Sequence, residues 1–444
     1  MLSQWVLANK SSDPKFCLGS ESCYRSGLQT HGSRKEHDKR MTEHDRNPGL
    51  RLGEFVVLVA LMISLVALSI DAMLPALPAI GADLGTAHAN DTQLVVSSLL
   101  FGLAFGQLLY GPLSDSVGRK PPIYAGFALF MFGCLLSLFA PSFEWMLAGR
   151  FLQGVGAAGP RIVVVALIRD QYEGQAMARI MSLVMSVFIF VPALAPTVGQ
   201  GILFVAGWRA IFGTFFAIAL IALVWFAIRQ PETLTPDHRA ALSARRILMA
   251  AREVCTTRAA MGYTVAAGLV FAAFVGYLSS AQQIFQDTYL VGEWFPAYFA
   301  VLALAIGCAS VVNARLVIRH GMHKLSNLAI NGLTGLSVAF ALVAWAADGV
   351  PPLWLFMGYF LATFFCVGIL FGNLNALAME PLGHIAGVGA AVVGFVATLI
   401  SVPSGALIGQ GYDGTVMALV GGFCVFGAAA LITMRWVEHG GHRA

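Results

Sequence analysis

Two ionisable residues stand inside long apolar runs, where a charge is costly and is kept for a purpose. Asp71 lies in Ser69-Ile70-Asp71-Ala72-Met73-Leu74-Pro75, and Arg150 in Gly149-Arg150-Phe151-Leu152-Gln153-Gly154. A carboxyl group in such a place can take up and release a proton, and a guanidinium beside it biases that exchange. Helical rise puts Asp71 about 24 Å from one end of its segment and Arg150 about 8 Å from the opposite surface, so the two reach comparable levels. They form the expected proton-coupling site. The plainer alternatives are a carboxylate that caps the Pro-rich exit of its helix and an arginine that snorkels to the interface. Arg161, further along the segment of Arg150, is expected to snorkel towards the other surface.

The second group is a loop, Tyr110-Gly111-Pro112-Leu113-Ser114-Asp115-Ser116-Val117-Gly118-Arg119-Lys120-Pro121-Pro122. Gly111, Asp115, Gly118, Arg119 and Lys120 supply a carboxylate, a turn glycine and two cations, enough for a charge-paired latch with Arg119 and Lys120 as basic partners. The plainer reading is a positively charged loop with a glycine turn. Gly321 stands 203 residues after Gly118, in Arg319-His320-Gly321-Met322-His323-Lys324, a copy without the acid. A duplicated unit leaves such a trace. A third stretch, Val191 to Gly201, holds Pro192 and Pro196, which remove backbone donors and bend a helix, and Gly199, which admits a close neighbour. Gln107, Gln282 and Asn375 are polar side chains able to line a central cavity, though hydrogen bonds between helices are their commoner use. Phe101, Phe105, Tyr277 and Tyr359 are candidates for its apolar walls.

The elements that carry these residues follow from composition. Of 444 residues 58% are hydrophobic and 11% charged, against roughly 25% charged in a soluble domain. Apolar runs fall at 55–78, 93–112, 122–141, 145–167, 179–203 and 208–228, then at 260–283, 295–317, 325–346, 353–375, 386–409 and 414–435. Each is long enough to cross about 30 Å of hydrocarbon. The expected fold is therefore an all-α polytopic membrane protein: twelve transmembrane helices in two pseudo-symmetric six-helix halves. The domains read as a polar leader at 1–50, a first half at 51–228, a linker at 229–259, a second half at 260–436 and a tail at 437–444. The leader mixes acids and bases, resembles no cleaved signal, and is expected to be disordered, with Met41 as an alternative start. Lysines and arginines crowd the leader, the linker and the loops on one side, while Arg209 alone falls on the other. The positive-inside rule then puts both termini in the cytoplasm.

Several function classes drop out. A net charge of +4 with scattered bases offers no stripe for nucleic acid. The cysteines suggest no disulfide framework, and histidines confined to tails and loops suggest no metal or haem site. No Walker-type phosphate loop is present, so ATP is not the direct energy source, and no G-x-S-x-G or H-E-x-x-H string points to an enzyme. No cofactor is expected.

The 111–120 loop resembles the loop signature of the Major Facilitator Superfamily, matching at Gly111, Asp115, Gly118, Arg119 and Lys120, with Ser116 where an arginine is usual. The stretch around Pro196 and Gly199 is similar to the antiporter signature of drug-exporting members, with Ala195 and Gln200 where glycines are usual. Asp71 to Pro75, Gln107 to Asp115, Arg150 to Gly154 with Arg169-Asp170, and Met379 to Gly387 resemble the bicyclomycin and chloramphenicol resistance group. That resemblance, over residues 50 to 436, implies proton-driven antiport of amphipathic small molecules such as antibiotics across a bacterial-type inner membrane, by a monomer working through alternating access. Asp71 is the implied proton carrier and Arg150 its electrostatic partner. The rival readings are a proton-coupled carrier of a sugar, amino acid or nucleoside, and an intramembrane enzyme or receptor.

Overall fold

The computed structural model describes residues 50–239 and 243–441; the 1–50 leader reading and the Met41 start, apart from Leu50, and the last three residues of the tail lie outside them. In chain order the helices are α1 Leu52–Asp71, α2 Leu77–Leu84, α3 Leu94–Val117, α4 Lys120–Leu138, α5 Phe143–Gln171, α6 Gly174–Arg229, α7 Ala244–Thr256, α8 Arg258–Gln283, α9 Phe295–His320, α10 Met322–Ala346, α11 Leu353–Met379, α12 Ala386–Gln410 and α13 Met417–Gly441. Ten stretches among the described residues are long and apolar enough to cross a membrane. Two of them, of 56 and 58 residues, each hold two crossings, which gives the expected twelve. α6 breaks at Gly207, whose φ of 75° leaves the helical region. α11 and α12 are joined by a tight 3-10 turn, Glu380–Ile385.

Local chemistry explains the differences from expectation. α6 runs through Pro192 and Pro196 with helical backbone angles, each proline removing a backbone donor while its fixed φ stays within the helical range. The break waits for Gly207, where a positive φ is available to glycine. The linker also holds more structure than a spacer needs, since α7 forms within it and packs on α8 and α12.

The first half is assembled from close glycine contacts, which let helices associate where lipid offers no hydrophobic drive. A Cβ on Gly102 would collide with the Phe151 carbonyl, one on Gly154 with the Leu99 carbonyl, and one on Gly156 with the Phe130 backbone. α5 is thereby wedged between α3 and α4. The second half packs through rings instead: Tyr277, Phe274, Phe360 and Phe364 interlock at centroid separations of 4.7 to 6.3 Å. The halves meet where α3 lies on α12 and α6 on α9. For orientation, the end that carries Arg119 and Arg229 is called the basic end, and the opposite one the far end.

Candidate functional site

Asp71 is the last residue of α1 and only 5% exposed. It makes no ion pair or hydrogen bond among the described residues. Arg150, completely buried on α5, donates from Nη2 to the Ser69 carbonyl at 2.8 Å, from Nε to the Val95 carbonyl at 3.1 Å and from Nη1 to Gln153 Oε1 at 2.7 Å. Among the described residues Asp71 and Arg150 make no direct ion pair. The reason lies in the end of α1, where the last carbonyls lack helical donors and the helix dipole is negative. The guanidinium caps that end, two residues before the carboxylate, instead of meeting the carboxylate. Its burial also rules out snorkelling.

Two further elements close around Asp71. Gly199 of α6 sits so tightly on the Ala72 backbone that a Cβ there would collide with the Ala72 carbonyl. The resemblance to the antiporter signature thus falls where α6 touches the residue after the acid; Pro192 and Pro196 lie seven and three residues before that contact. From the other half, Tyr277 of α8 places its hydroxyl within electrostatic range of Asp71. That hydroxyl is buried and has no hydrogen-bond partner among the described residues.

The corner between α3 and α4, expected to act as a latch, is cross-linked by charged side chains. Gly118 turns at φ 105°, and Arg119, 6% exposed, donates to Asp115 Oδ1 at 2.5 Å, to both oxygens of Asp170 at 2.7 and 3.2 Å, and to Ser114 Oγ at 3.1 Å. Burial works against its charge, but Asp170 and Asp115 outweigh it and hold the guanidinium above its ordinary pKa. Lys120 takes no part in the ion pair. Its ammonium donates to the Gln230 and Ala227 carbonyls at 2.7 and 3.3 Å and lies over the rings of Tyr124 and Phe226. Gly111 faces Ala391 of α12, and Asp115 lies beside Gly387.

Sequence reasoning missed two latch residues. Asp170 is the penultimate residue of α5, and the sequence singled it out only within the Arg169-Asp170 resemblance, not as a latch partner. Glu232, in the linker, accepts the backbone N–H groups of Arg119 at 2.8 Å and Lys120 at 3.0 Å, and nothing in its surroundings announced this. Partial burial pushes the Glu232 carboxyl up, but its backbone donors prevail and hold it below its ordinary value of 4.5.

The expected cavity residues scatter. Gln107 is half-buried at the contact of α3 with Gly394 of α12. Gln282 is buried and donates to Gln286 one turn on, at 2.8 Å, so it is occupied within its own helix. Asn375 is exposed on α11. Tyr277 and Tyr359 are buried in the ring cluster of the second half, whereas Phe105 keeps an exposed face and packs on Phe101, Phe151 and Phe395.

At the far end the halves are tied by neutral amides. Asn90 Nδ2 donates to the Gln410 and Tyr412 carbonyls, both at 2.9 Å, and Gln410 Nε2 returns a bond to the Asn90 carbonyl at 2.9 Å. Gln283 Nε2 donates to Asn90 Oδ1 at 2.8 Å, and Gln93 Nε2 to Gln283 Oε1 at 3.2 Å. Gln93, Gln283 and Gln410 read in the sequence as polar residues able to line a cavity or, more commonly, to bond between helices; with Asn90 they form a clasp.

Comparison with known proteins settles the family. The Major Facilitator Superfamily profile matches residues 59–405. The chain belongs to the Major Facilitator Superfamily. It is a polytopic membrane transporter, and the superfamily is one of transporters, not enzymes. Among its relatives are an uncharacterised MFS-type transporter, YdgK, of Bacillus subtilis (29% identical; 83% of this chain and 94% of the relative) and a bicyclomycin resistance protein homolog of Haemophilus influenzae (28%; 80% and 88%). A third is the multidrug resistance protein MdtL of Salmonella heidelberg (29%; 73% and 80%). The human organic anion transporter MFSD10 has a similar fold, with a TM-score of 0.65 at 17% identity over 87% of this chain and all of that one. Among the described residues no group of three or more His, Cys, Asp or Glu is placed to hold a metal ion.

Proposed function

We propose that the protein exports amphipathic small molecules, antibiotics among them, in exchange for protons, by alternating access in a bacterial-type inner membrane. The observation that carries this reading is Asp71: a buried carboxyl without an ion-pair partner among the described residues, where α1 meets α6 and within electrostatic range of Tyr277 of α8, in a transporter whose relatives include drug-resistance proteins. An acid so placed changes its local charge by a full unit when it takes up a proton, and a low-dielectric junction feels that change strongly. Asp71 carries the proton. Arg150 positions it by capping α1, so its coupling to the acid runs through the helix end. Tyr277 reports the protonation state to the second half. Pro192, Pro196 and Gly199 keep α6 against the Asp71 segment, so α1 and α6 move together.

The basic end is cytoplasmic, with both termini there, and the 51–228 and 260–436 halves rock about a central site while the linker spans them. The clasp closes the outer side. The latch of Gly111, Asp115, Gly118, Arg119 and Lys120, completed by Asp170 and Glu232, governs the cytoplasmic side. Gln107 and Asn375 contribute polar wall, while Gln282 supports α8. The chain works as a monomer without cofactor.

Inverted membrane vesicles with an imposed proton gradient and an internal pH dye test the reading. Drug addition is expected to release protons from wild-type vesicles and not from those with Asp71→Asn. Equal responses would move the proton site away from Asp71, and silence of the wild type to a broad amphipathic panel would overturn drug antiport.

A further inference from the structure

One cation of the membrane region is used by none of the arrangements above. Arg161 follows Arg150 by eleven residues on α5, which is three turns plus about 20° and about 16 Å of rise. It therefore lies on the same face as Arg150, the face that looks towards α1 and α3 and away from α4. Its neighbours on that face, Ala157, Val164 and Ile168, are buried in protein. Arg161 itself is exposed, although it stands between these buried residues on an inward face. An accessible side chain so placed opens on a crevice between the helices. On α11, the helix that occupies the place of α5 in the second half, Gly372 and Asn375 are also exposed.

Arg161 makes no hydrogen bond or ion pair among the described residues. It stands ten residues, about 15 Å, from the basic end of α5 and further from the other end, and six residues, about 9 Å, inside the limit of the apolar run at 145–167. An unpaired guanidinium at such depth is expensive, and a partner that relieves it must be negative. Guanidinium geometry favours a planar, two-oxygen acceptor.

We propose that Arg161 is an anion-recognition subsite of the transport pathway, which selects amphipathic cargo carrying a carboxylate or a similar acidic group. This names the substrate class and rests on the small-molecule transport reading above. An arginine here leaves cationic amphiphiles disfavoured and gives acidic ones an anchor.

The test compares two probes of identical body, dansylglycine and its neutral amide, binding to the full-length protein in phosphatidylcholine nanodiscs, read by energy transfer from tryptophan. Wild type is expected to prefer the acid by about tenfold. Arg161→Gln is expected to bring the preference within about twofold, and Arg161→Lys to retain part of it, since the charge remains without the fork. No preference in wild type, or an undiminished one in Arg161→Gln, overturns the proposal. Repeating the measurement with phosphatidylglycerol separates cargo from lipid: abolition of the preference by this lipid would assign Arg161 to headgroup phosphate and overturn a cargo subsite. The vesicle assay is independent. Drug-driven proton release with no acid preference sinks the subsite alone, whereas silence there sinks the exporter and leaves the binding result standing.

Discussion

The α3–α4 and α9–α10 corners are the same structural idea carried out twice with different chemistry. Both turn on a glycine of positive φ, Gly118 at 105° and Gly321 at 78°. Both face an acid at the end of the neighbouring fourth helix of their half, Asp170 on α5 and Glu380 directly after α11. In the first half a buried arginine holds Asp170 by two hydrogen bonds and Asp115 by a third. In the second, His323 Nε2 stands 3.8 Å from Glu380, both more than half exposed, and its other ring nitrogen meets the Tyr263 hydroxyl at 3.1 Å. The backbone geometry of the duplicated unit has been kept and its charge chemistry has not. A forked, shielded arginine fixes a corner, whereas a solvated histidine pair adds little rigidity.

The largest expected effect is that of Arg119→Ala, which strips two acids of their counter-ion; breaking a largely buried charged network costs about 3 kcal/mol. Drug-driven proton release in vesicles should slow by more than about tenfold, set against less than about twofold for His323→Ala. Similar losses in both would erase the distinction between the corners. Next come the two acids. Asp170, with a side chain 18% exposed against 43% for Asp115, accepts twice from Arg119, so Asp170→Asn should slow transport several-fold more than Asp115→Asn, while neither abolishes drug binding measured at equilibrium.

Asn90→Ala removes three side-chain bonds of the clasp. At about 1 kcal/mol for a typical hydrogen bond, the far end should open in a clearly larger share of molecules, seen as faster labelling of a cysteine placed at Gln93 than in the single-cysteine parent. Unchanged labelling would mean that helix packing alone holds the far end shut. The smallest effect is expected at Glu232. Its carboxyl sits below the ordinary value of 4.5 in the folded protein, so its stabilising contribution is present above that value and fades as pH falls through the folded one. Thermal unfolding should separate wild type from Glu232→Gln by about 2 °C at pH 7, with the gap closing below about pH 4. A gap independent of pH would show that the backbone contacts do not depend on the carboxylate charge.

How much was legible follows from what each feature depends on. The twelve crossings depend on local apolarity, so the runs at 353–375 and 386–409 mark α11 and α12 to within a few residues at each end. The Gly118 turn and its neighbouring Asp115 and Arg119 were legible because they are adjacent in sequence. The partners Asp170 and Glu232 were not, since they lie 51 and 113 residues from Arg119 and only tertiary packing brings them in. Asp71 and Arg150 were found as costly intramembrane charges, but the offset of a single turn decides whether two such groups touch, and composition carries no such detail. Here the guanidinium found an uncapped helix end first. The clasp was hidden for another reason: an amide that bonds across the halves has the same composition as one that faces a neighbouring helix.

The clasp also sets what can drive it open. Every hydrogen bond that joins the halves there runs between uncharged groups. A membrane potential does about 2.3 kcal/mol of work per 100 mV on each elementary charge it moves, and these groups carry no net charge for it to act on. Nor does ionic strength screen a contact between neutral amides as it screens an ion pair. The opening of that seal is electrically silent, and whatever voltage or salt dependence the transport cycle possesses has to enter elsewhere.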